Sequence, residues 1–361
     1  MRIILDNIIF QLQISGGISN YWYQLISHII QKENYETFFF DDTDTDNIFR
    51  NLLNLKAFPK LGRQNLPLGR YINPKLANET EKAIFHSSYY RTSQNKNHIS
   101  ITTVHDFTYE HFIRTPSSIA HKLQKKQAIL NSEGIICISQ NTKKDLLKFI
   151  PAAKDLDITV IPHGVSSETF FELSKEDRDA HQLTKFPTNG YLLYVGDRKS
   201  AYKNFDKAVE TSILANIPLV ILGGGPLSTH EREVLAKNRA ENHYEHFGKV
   251  DNFSLNWFYN NAFALLYPSA YEGFGLPVIE AQMAGCPVVA LNASSIPEVA
   301  GNAAILVKEN EVEQFTQAVH QLTDENLRAQ LRSKGFQNAS KFTWKNTFDL
   351  TAAFYANLYK R

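Results

Sequence analysis

Two glutamates stand eight residues apart in the segment EGFGLPVIE, which covers residues 272–280. Between Glu272 and Glu280 lie two glycines, one proline and no charged side chain. Carboxylates accept hydrogen bonds from pairs of sugar hydroxyls, and backbone N–H groups at the start of a helix attract phosphate. The spacing is therefore compatible with two carboxylates that hold different parts of one phosphorylated ligand. On this pattern alone, two glutamates that offset a helix dipole explain it equally well.

The same segment has proline and glycine at the positions that are typical of a strand-to-helix connection. FALLYPS precedes it and predicts a strand, Pro277 fits the first turn of a helix, and Gly285 fits the helix end. Residues 273–276 are then expected at a helix N-terminus, with Glu280 in the first turn. The carboxyl end of a parallel strand is where doubly wound folds bind ligands.

Two further strand ends in the second half carry suitable residues. YLLYVG ends at Gly196, and Arg198 and Lys203 follow before the next helical pattern. Two cations there could neutralise a diphosphate, although a solvated basic loop is the alternative. PLVIL is followed by a run of three glycines, which includes Gly223 and Gly224.

The first half offers a glycine pair and one histidine. Gly16 and Gly17 follow the first strand-like run and open a helical pattern, and His105 ends the run SITTVH. The pair is G-G rather than G-x-G-x-x-G, so the dinucleotide fingerprint is incomplete and a dehydrogenase is a remote alternative. A lone histidine is more often structural, and its place at a strand end makes a functional role a stronger alternative.

The acidic segment DDTDTD, residues 41–46, contains D-x-D twice. Such pairs can hold Mn²⁺ on a nucleotide diphosphate. A solvated acidic loop is the favoured interpretation, because the chain offers cations for phosphate elsewhere. Asp41 and Asp42 also stand where a ribose-binding acid of a dehydrogenase would be expected.

The elements that position these residues alternate between strand and helix. Strands are predicted in the first half at IILDNI, ETFFF, AIFHSS, SITTVHD and GIICIS, and in the second at ITVIP, YLLYVG, PLVILGG, AFALLYPS, CPVVAL and AAILV. Their apolar runs are continuous, as in parallel strands buried on both faces. The pattern predicts two successive doubly wound α/β units that join near residues 161–170.

Composition excludes several classes of protein. The 361 residues carry a net charge of +1, which gives no reason to expect a nucleic-acid partner. No run of eighteen apolar residues exists, and Asp6 and Asn7 interrupt the first apolar run. That run is interpreted as a strand rather than a signal peptide, so a cytoplasmic location is expected. Cys137 and Cys286 lie in apolar segments and are predicted to be buried free thiols.

The segment from Glu272 to Ala281 resembles the E-x7-E motif of glycosyltransferase family 4, whose members are retaining enzymes. The resemblance extends, in order along nearly the whole chain, through GGISNYWYQL, VHDF, CISQNTKKDL, VIPHGV, YVGDRKSAYKN, ILGGGP, FGKVDNFSLNWFYNNAFALLYPS and MAGCPVVALNASSIPEVAGNAAILV. The most similar subgroup contains bacterial mannosyltransferase-like enzymes of O-antigen and capsule assembly.

The resemblance implies the GT-B fold, in which two Rossmann-like domains with parallel sheets face each other across a cleft. Residues 1–164 would form the acceptor-binding domain and residues 165–342 the domain that binds the nucleotide sugar. Residues 343–361 would form a helix that crosses back to the first domain.

The resemblance also implies a role for each candidate site residue. Glu272 would bind hydroxyls of the donor sugar, His105 would contact that sugar near the reacting centre, and Arg198 and Lys203 would meet the diphosphate. The Arg198–Lys203 interval is one residue shorter than in several relatives. The remaining donor-binding candidates are Gly16, Gly17, Gly223 and Gly224, Val250 beside the base, Gly273, Phe274, Gly275 and Leu276 around sugar and phosphates, and Glu280 on the ribose.

The implied activity is transfer of a hexose from a nucleotide diphosphate sugar to a saccharide or lipid-linked acceptor in surface polysaccharide synthesis, such as that of lipopolysaccharide. Retention by a front-face route is expected, with no metal and no cofactor other than the donor. A mannose-like sugar and GDP are favoured, and UDP is the other candidate base. A GT-B-fold epimerase of nucleotide sugars and a non-catalytic sugar-nucleotide-binding subunit are the alternatives.

A lipid-linked acceptor would bring the enzyme to the inner face of the cytoplasmic membrane. Lys122, Lys125 and Lys126 in HKLQKKQ could then touch anionic lipid. A solvated helix face is the favoured alternative for these lysines.

Overall fold

The computed structural model describes residues 1–41, 45–62, 68–74, 76, 80–237 and 242–361. The chain divides into two compact units. Unit 1 comprises Met1–Gly164 together with Trp344–Arg361, and unit 2 comprises Val165–Thr343.

Unit 1 is built on a parallel sheet in which the described residues form seven strands, in the order β3-β2-β1-β4-β5-β6-β7. The strands are β1 Arg2–Asp6, β2 Glu36–Phe40, β3 Lys60–Gly62, β4 Ala83–Ser87, β5 His98–Val104, β6 Gly134–Cys137 and β7 Asp157–Val160. Ile3, Ile4 and Leu5 of β1 are all fully buried, as expected for a central strand covered on both faces. The strand order reverses between β1 and β4.

Helices cover this sheet. They are α1 Ile9–Leu12, α2 Gly17–Ile29, α3 Ile48–Leu52, α4 Thr108–Phe112, α5 Pro116–Leu130 and α6 Gln140–Phe149, with 3-10 segments at Leu68–Tyr71 and Pro151–Asp155. Helix α2 is amphipathic and buries Trp22, Leu25, Ile26 and Ile29 in the core.

Unit 2 is built on a second parallel sheet, of six strands in the described residues, in the order β10-β9-β8-β11-β12-β13. The strands are β8 Leu192–Val195, β9 Leu219–Leu222, β10 Tyr244–Phe247, β11 Ala264–Tyr267, β12 Val288–Leu291 and β13 Ile305–Val307. The order reverses between β8 and β11, which is the topological switch point where open α/β sheets bind ligands.

The helices of unit 2 are α7 Lys175–Asp179, α8 Phe205–Leu214, α9 Thr229–Lys237, α10 Asn252–Asn261, α11 Leu276–Met283, α12 Ile296–Ala300, α13 Val312–Gln321 and α14 Glu325–Ala339, with a 3-10 turn at Ala201–Lys203. Apolar side chains from α8 and α13, such as Phe205 and Phe315, form one core with β8, β9, β11 and β12.

The last helix, α15 Trp344–Tyr359, belongs to unit 1, where it packs against α2. The ring of Phe348 stacks on His28 with ring centroids 5.4 Å apart, and the Tyr355 hydroxyl is hydrogen-bonded to the His86 ring in β4. Thr347 Oγ1 donates to the carbonyl of Pro162 at 2.8 Å. Three aromatic residues of this helix, Trp344, Phe348 and Tyr355, are therefore core residues of unit 1.

The predicted α/β class with parallel sheets is confirmed. Two strands were not predicted: β3 has three residues, and in β10 the polar Glu245 and His246 interrupt the apolar run. The predicted strand ITVIP was placed in the second half but pairs with β6 in unit 1. Cys137 and Cys286 are buried free thiols, as predicted. None of the described helices is long and apolar enough to cross a membrane.

Candidate active site

The loops that follow β8 and β11 lie side by side at the switch point of unit 2. The carbonyl of Tyr202 accepts a hydrogen bond from the Ala270 N–H at 2.7 Å. Asn204, whose φ of 51° is left-handed, donates through Nδ2 to the carbonyl of Pro268 at 2.7 Å. These bonds hold the two loops in contact and bring Lys203 next to Glu272.

Lys203 and Glu272 form an ion pair in which Nζ and Oε1 are 2.6 Å apart. The Tyr267 hydroxyl donates to the same carboxylate oxygen at 2.5 Å. Burial raises the pKa of Tyr267 well above its usual range, so the phenol is a neutral donor. Both side chains of the pair remain partly exposed, at 16% and 13%. A cation and a carboxylate are thus held together at a position that solvent and ligands can reach.

The backbone between the two glutamates is braced from the loop after β12. Ser294 Oγ accepts from the Glu272 N–H at 2.8 Å, and Ser295 Oγ lies 2.9 Å and 2.8 Å from the carbonyls of Glu272 and Phe274, respectively. Sequence reasoning did not single out these serines. Their presence in the family-like segment NASSIPEV was the available signal, but their hydrogen bonds to a loop about twenty residues away are not visible in the sequence.

Helix α11 begins at Leu276, after Gly275 with a φ of 100°. Gly273 and Phe274 precede it, and Pro277 lies in its first turn. Gly285, with a φ of 74°, follows the last turn, as predicted. The left-handed φ at position 275 explains why a glycine stands directly before the helix.

Glu280 lies in the second turn of α11, so its expected place in the first turn was wrong. The helix starts at Leu276 rather than earlier because Gly275 is left-handed. The Tyr259 hydroxyl, from α10, donates to Glu280 Oε2 at 3.0 Å. Burial raises the pKa of Glu280 to about 7.

Arg198 points away from solvent. Its side chain is 0% exposed, and its Nε donates to Glu231 Oε1 at 3.0 Å. The two terminal nitrogens donate to the carbonyls of Gly223 and Gly225. Arg198 therefore joins the loop after β8 to the loop after β9, whereas Lys203 joins the loop after β8 to the loop after β11.

The loops after β9 and β10 are also in contact. The Gly223 N–H lies 3.2 Å from the carbonyl of Phe247 and 3.1 Å from that of Gly248. Val250 follows two residues later and is partly exposed. The donor-binding candidates Gly223, Gly224 and Val250 thus lie at the same edge of the sheet as Lys203 and Glu272.

In unit 1, helix α1 separates the glycine pair from β1, whereas the histidine lies at the carboxyl end of a strand. Gly16 caps α2, Gly17 is its first residue, and space beside Gly17 is open. His105 directly follows β5, and its ring lies edge-on to that of Tyr21, with centroids 5.2 Å apart. Burial lowers the pKa of His105 to about 3, so the ring is neutral at physiological pH. Its Nδ1 is buried and has no hydrogen-bond partner among the described residues.

Asp41 has a structural partner. It is buried after β2 and forms an ion pair with Arg50 at 2.6 Å, and Asn7 Nδ2 donates to it at 3.0 Å. These contacts occupy the acid that a dehydrogenase would use for ribose. The other members of the D-x-D pattern include Asp42 and Asp44, which lie outside the described residues. Across the described ranges, no group of three or more His, Cys, Asp or Glu side chains could hold a metal.

Two family profiles match the sequence. Residues 15–169 match the family described as Glycosyltransferase Family 4, and residues 175–338 match the one described as Glycosyl transferases group 1. The two matches fall on successive parts of the chain and together cover most of it. The chain thus combines segments that match two glycosyltransferase families.

Known proteins support this assignment. The transferase is 26% identical to O-antigen chain mannosyltransferase B of Escherichia coli over 269 residues, which cover 71% of this chain and 70% of that protein. Among solved structures it is similar to sucrose-phosphate synthase from Thermosynechococcus elongatus, with a TM-score of 0.76, 19% identity and coverage of 100% of this chain and 99% of that one. Anabaena HepE, solved in complex with UDP-glucose, has a TM-score of 0.73, 16% identity and coverage of 99% and 100%. These likenesses show the GT-B fold.

The lysines of helix α5 in the transferase do not form one exposed patch. Lys125 is 0% exposed and pairs with Glu110 at 2.8 Å, so for this residue both the favoured solvated face and the alternative lipid contact were wrong. It lies four residues after the buried His121 and three before the buried Ala128, on the inner face of the helix. Lys122 donates to the carbonyl of Ile113 at 2.8 Å, and Lys126 is exposed.

The raised pKa of Glu280 has a consequence for the stability of the transferase. The folded chain holds this proton up to a pH of about 7, whereas the ordinary pKa is 4.5. Between these values the folded state binds more protons than the unfolded state, so the carboxyl group lowers stability as pH rises through this window. Glu280→Gln, which keeps the acceptor for Tyr259, is therefore expected to raise the melting temperature at pH 8.

Thermal unfolding at pH 5 and pH 8 checks this expectation. The gain at pH 8 should shrink at pH 5, where wild-type Glu280 is already protonated in the folded chain. Glu309→Gln, at an exposed glutamate, should give no such pH-dependent difference. An equal melting temperature for Glu280→Gln and wild type at pH 8 would contradict the raised pKa.

Proposed function

We propose that the enzyme transfers a hexose from a nucleotide diphosphate sugar to an acceptor hydroxyl, with retention of configuration at the anomeric carbon. The observation that carries the proposal is the Lys203–Glu272 pair, held at the switch point of unit 2 beside the start of α11. A cation, a carboxylate and a helix N-terminus within one short stretch suit a ligand that combines a diphosphate with sugar hydroxyls.

In the proposed reaction, the bond between the anomeric carbon and the diphosphate oxygen breaks, and its electron pair stays on the phosphate. Lys203 and the N-terminus of α11 stabilise the negative charge that develops there. The acceptor oxygen bonds to the same face of the carbon, and its proton passes to the departing phosphate oxygen. Glu272 orients the sugar through its hydroxyls, and Glu280 accepts from the ribose. This route assigns no step to a metal.

The donor base and sugar are proposed from relatives. The mannosyltransferase relative favours a mannose-like sugar, for which GDP is the favoured carrier. HepE was solved with UDP-glucose, so UDP is the other candidate.

A thermal-shift screen with GDP, UDP, dTDP and ADP tests nucleotide binding directly. A ligand at ~100 times its dissociation constant adds about 2.7 kcal/mol to the free energy of unfolding. We expect one diphosphate, most strongly GDP, to raise the melting temperature. The absence of any shift with all four nucleotides would contradict the proposal.

The acceptor is proposed to bind to unit 1. His105 is proposed to contact the donor sugar near the reacting centre, and its neutral ring suits a sugar because it can donate or accept one hydrogen bond without a charge. A saccharide or lipid-linked saccharide of a surface polysaccharide such as O-antigen is the proposed acceptor. Of the three lysines, the exposed Lys126 could still contact anionic lipid, and sedimentation with anionic vesicles tests this contact.

A further inference from the structure

Each nitrogen of the Arg198 guanidinium has a protein partner. It spans from Glu231, at 3.0 Å from Nε, to the carbonyl of Gly225, at 2.7 Å from Nη2, with Nη1 on the carbonyl of Gly223. Its side chain is 0% exposed. Because the side chain is fully covered, it would have to leave this buried position, and the partners that hold it there, to meet a ligand.

Glu231 is fixed as firmly as its partner. Its side chain is 2% exposed, and its Oε2 accepts from the Ser228 N–H at 2.6 Å. Ser228 Oγ in turn accepts from the Glu231 N–H at 3.2 Å, at the start of α9. If Arg198 moved to a ligand, Glu231 would remain as a buried carboxylate without its cation, which is strongly unfavourable.

The segment held by Arg198 has an unusual backbone. Residues 223–225, here called the glycine loop, have φ angles of 91°, 74° and 70°. Three successive left-handed residues require glycine and leave the loop with little conformational preference of its own. A Cβ placed on Gly224 would lie 2.6 Å from an Arg198 terminal nitrogen, so the guanidinium is packed directly against the loop.

We infer that Arg198 is a positioning residue and not a ligand of the diphosphate. Together with Glu231 it fixes the glycine loop in the shape that the donor nucleotide meets, and Lys203 is the side-chain cation that contacts the diphosphate. This inference rests on the proposed function for the identity of the ligand, and it departs from the role that the family resemblance implies for Arg198.

The two assignments predict opposite results for Glu231→Gln. If Arg198 positions the loop, Glu231→Gln and Arg198→Gln should each weaken GDP or UDP binding by a similar factor, about tenfold or more. The double variant should then be little worse than either single variant, because both remove one unit. If Arg198 is a diphosphate ligand, Glu231→Gln frees the guanidinium and should leave affinity unchanged or tighter.

A comparison of diphosphates with monophosphates separates positioning from direct contact. Binding of GDP, GMP, UDP and UMP can be measured by calorimetric titration. Arg198→Gln should weaken the binding of a diphosphate and of its monophosphate by the same factor. A loss confined to the diphosphate would overturn the inference. Lys203→Ala serves as the contrasting variant, since it should reduce affinity for the diphosphate more than for the monophosphate.

Two alanine variants in the glycine loop keep the inference testable if Arg198→Gln fails to fold. Gly224→Ala and Gly225→Ala both place a side chain at a left-handed φ, but only the first meets the guanidinium, because the space beside Gly225 is open. We expect Gly224→Ala to weaken nucleotide binding several-fold more than Gly225→Ala. Equal effects of the two alanines would count against the inference.

Failure of the proposed function would be recognised separately. In that case no nucleotide binds the wild-type protein. Amide hydrogen exchange then still measures the positioning role: Arg198→Gln and Glu231→Gln should accelerate exchange at the glycine loop equally and non-additively, and unchanged exchange would overturn it.

Discussion

Glu272→Gln is expected to lower the turnover number by about 10²–10³-fold while nucleotide diphosphate affinity is kept or increased. Glutamine retains the size of the side chain and an oxygen that can accept from Tyr267, which lies 2.5 Å from the present carboxylate. It removes the negative charge that pairs with Lys203 at 2.6 Å. The ammonium group is then free to meet a diphosphate, but the sugar loses the charged acceptor that orients its hydroxyls.

Turnover and affinity therefore move in different directions in this variant. Steady-state transfer kinetics give the first quantity, and titration with the diphosphate gives the second. Glu309→Gln, at an exposed glutamate in the same unit, is the matched control and should change neither. Turnover near the wild-type value in Glu272→Gln would remove Glu272 from the proposed chemistry.

The fold could be predicted from local signals to a large extent. Runs such as LLYV and VVAL are apolar without alternation, and in the structure these residues form β8 and β12 of a parallel sheet. The strand β10 was not predicted because two polar residues stand in the middle of its sequence, YEHF. It lies at the edge of the sheet. Edge strands are less buried, so their sequences resemble those of loops.

The local structure around the candidate site was predicted where its signal was local. The glycines, proline and glutamate of residues 273–280 predict a helix start with a nearby carboxylate, and the structure has both. The order of the strands carries no comparable signal. That β8 and β11 are neighbours, and that Lys203 therefore meets Glu272 across 69 positions, became evident only from the sheet.

Partners of buried charges were the least predictable feature. Arg198 and Lys125 look like exposed cations in the sequence, yet Glu231 and Glu110 neutralise them in the interior. A charged side chain is buried when a distant element supplies a counter-charge, and composition around the residue does not reveal that element. Lys203 differs because its partner Glu272 is itself partly exposed.

Lys203→Ala is the second variant with a large expected effect. Removal of the ammonium takes away the side-chain cation that the proposal places on the departing diphosphate, so turnover should fall by about 10²–10³-fold. The Michaelis constant for the donor should rise much less than turnover falls, because charge on the departing oxygen is greatest in the transition state. Binding of GDP or UDP should weaken and become less sensitive to salt.

The neighbouring Lys199 provides the control for this variant. It is exposed and lies in the same loop after β8, so Lys199→Ala removes an equal charge from nearly the same place. If the general field of the loop stabilised the diphosphate, both alanine variants would lose similar activity. If direct contact by Lys203 stabilises the diphosphate, the turnover number of Lys199→Ala should stay within about twofold of wild type. A larger loss of turnover in Lys199→Ala than in Lys203→Ala would overturn the assignment of Lys203. The comparison thus distinguishes the effect of an ammonium group at a fixed position from the effect of net charge in the loop. The ion pair with Glu272 fixes the position of the Lys203 ammonium.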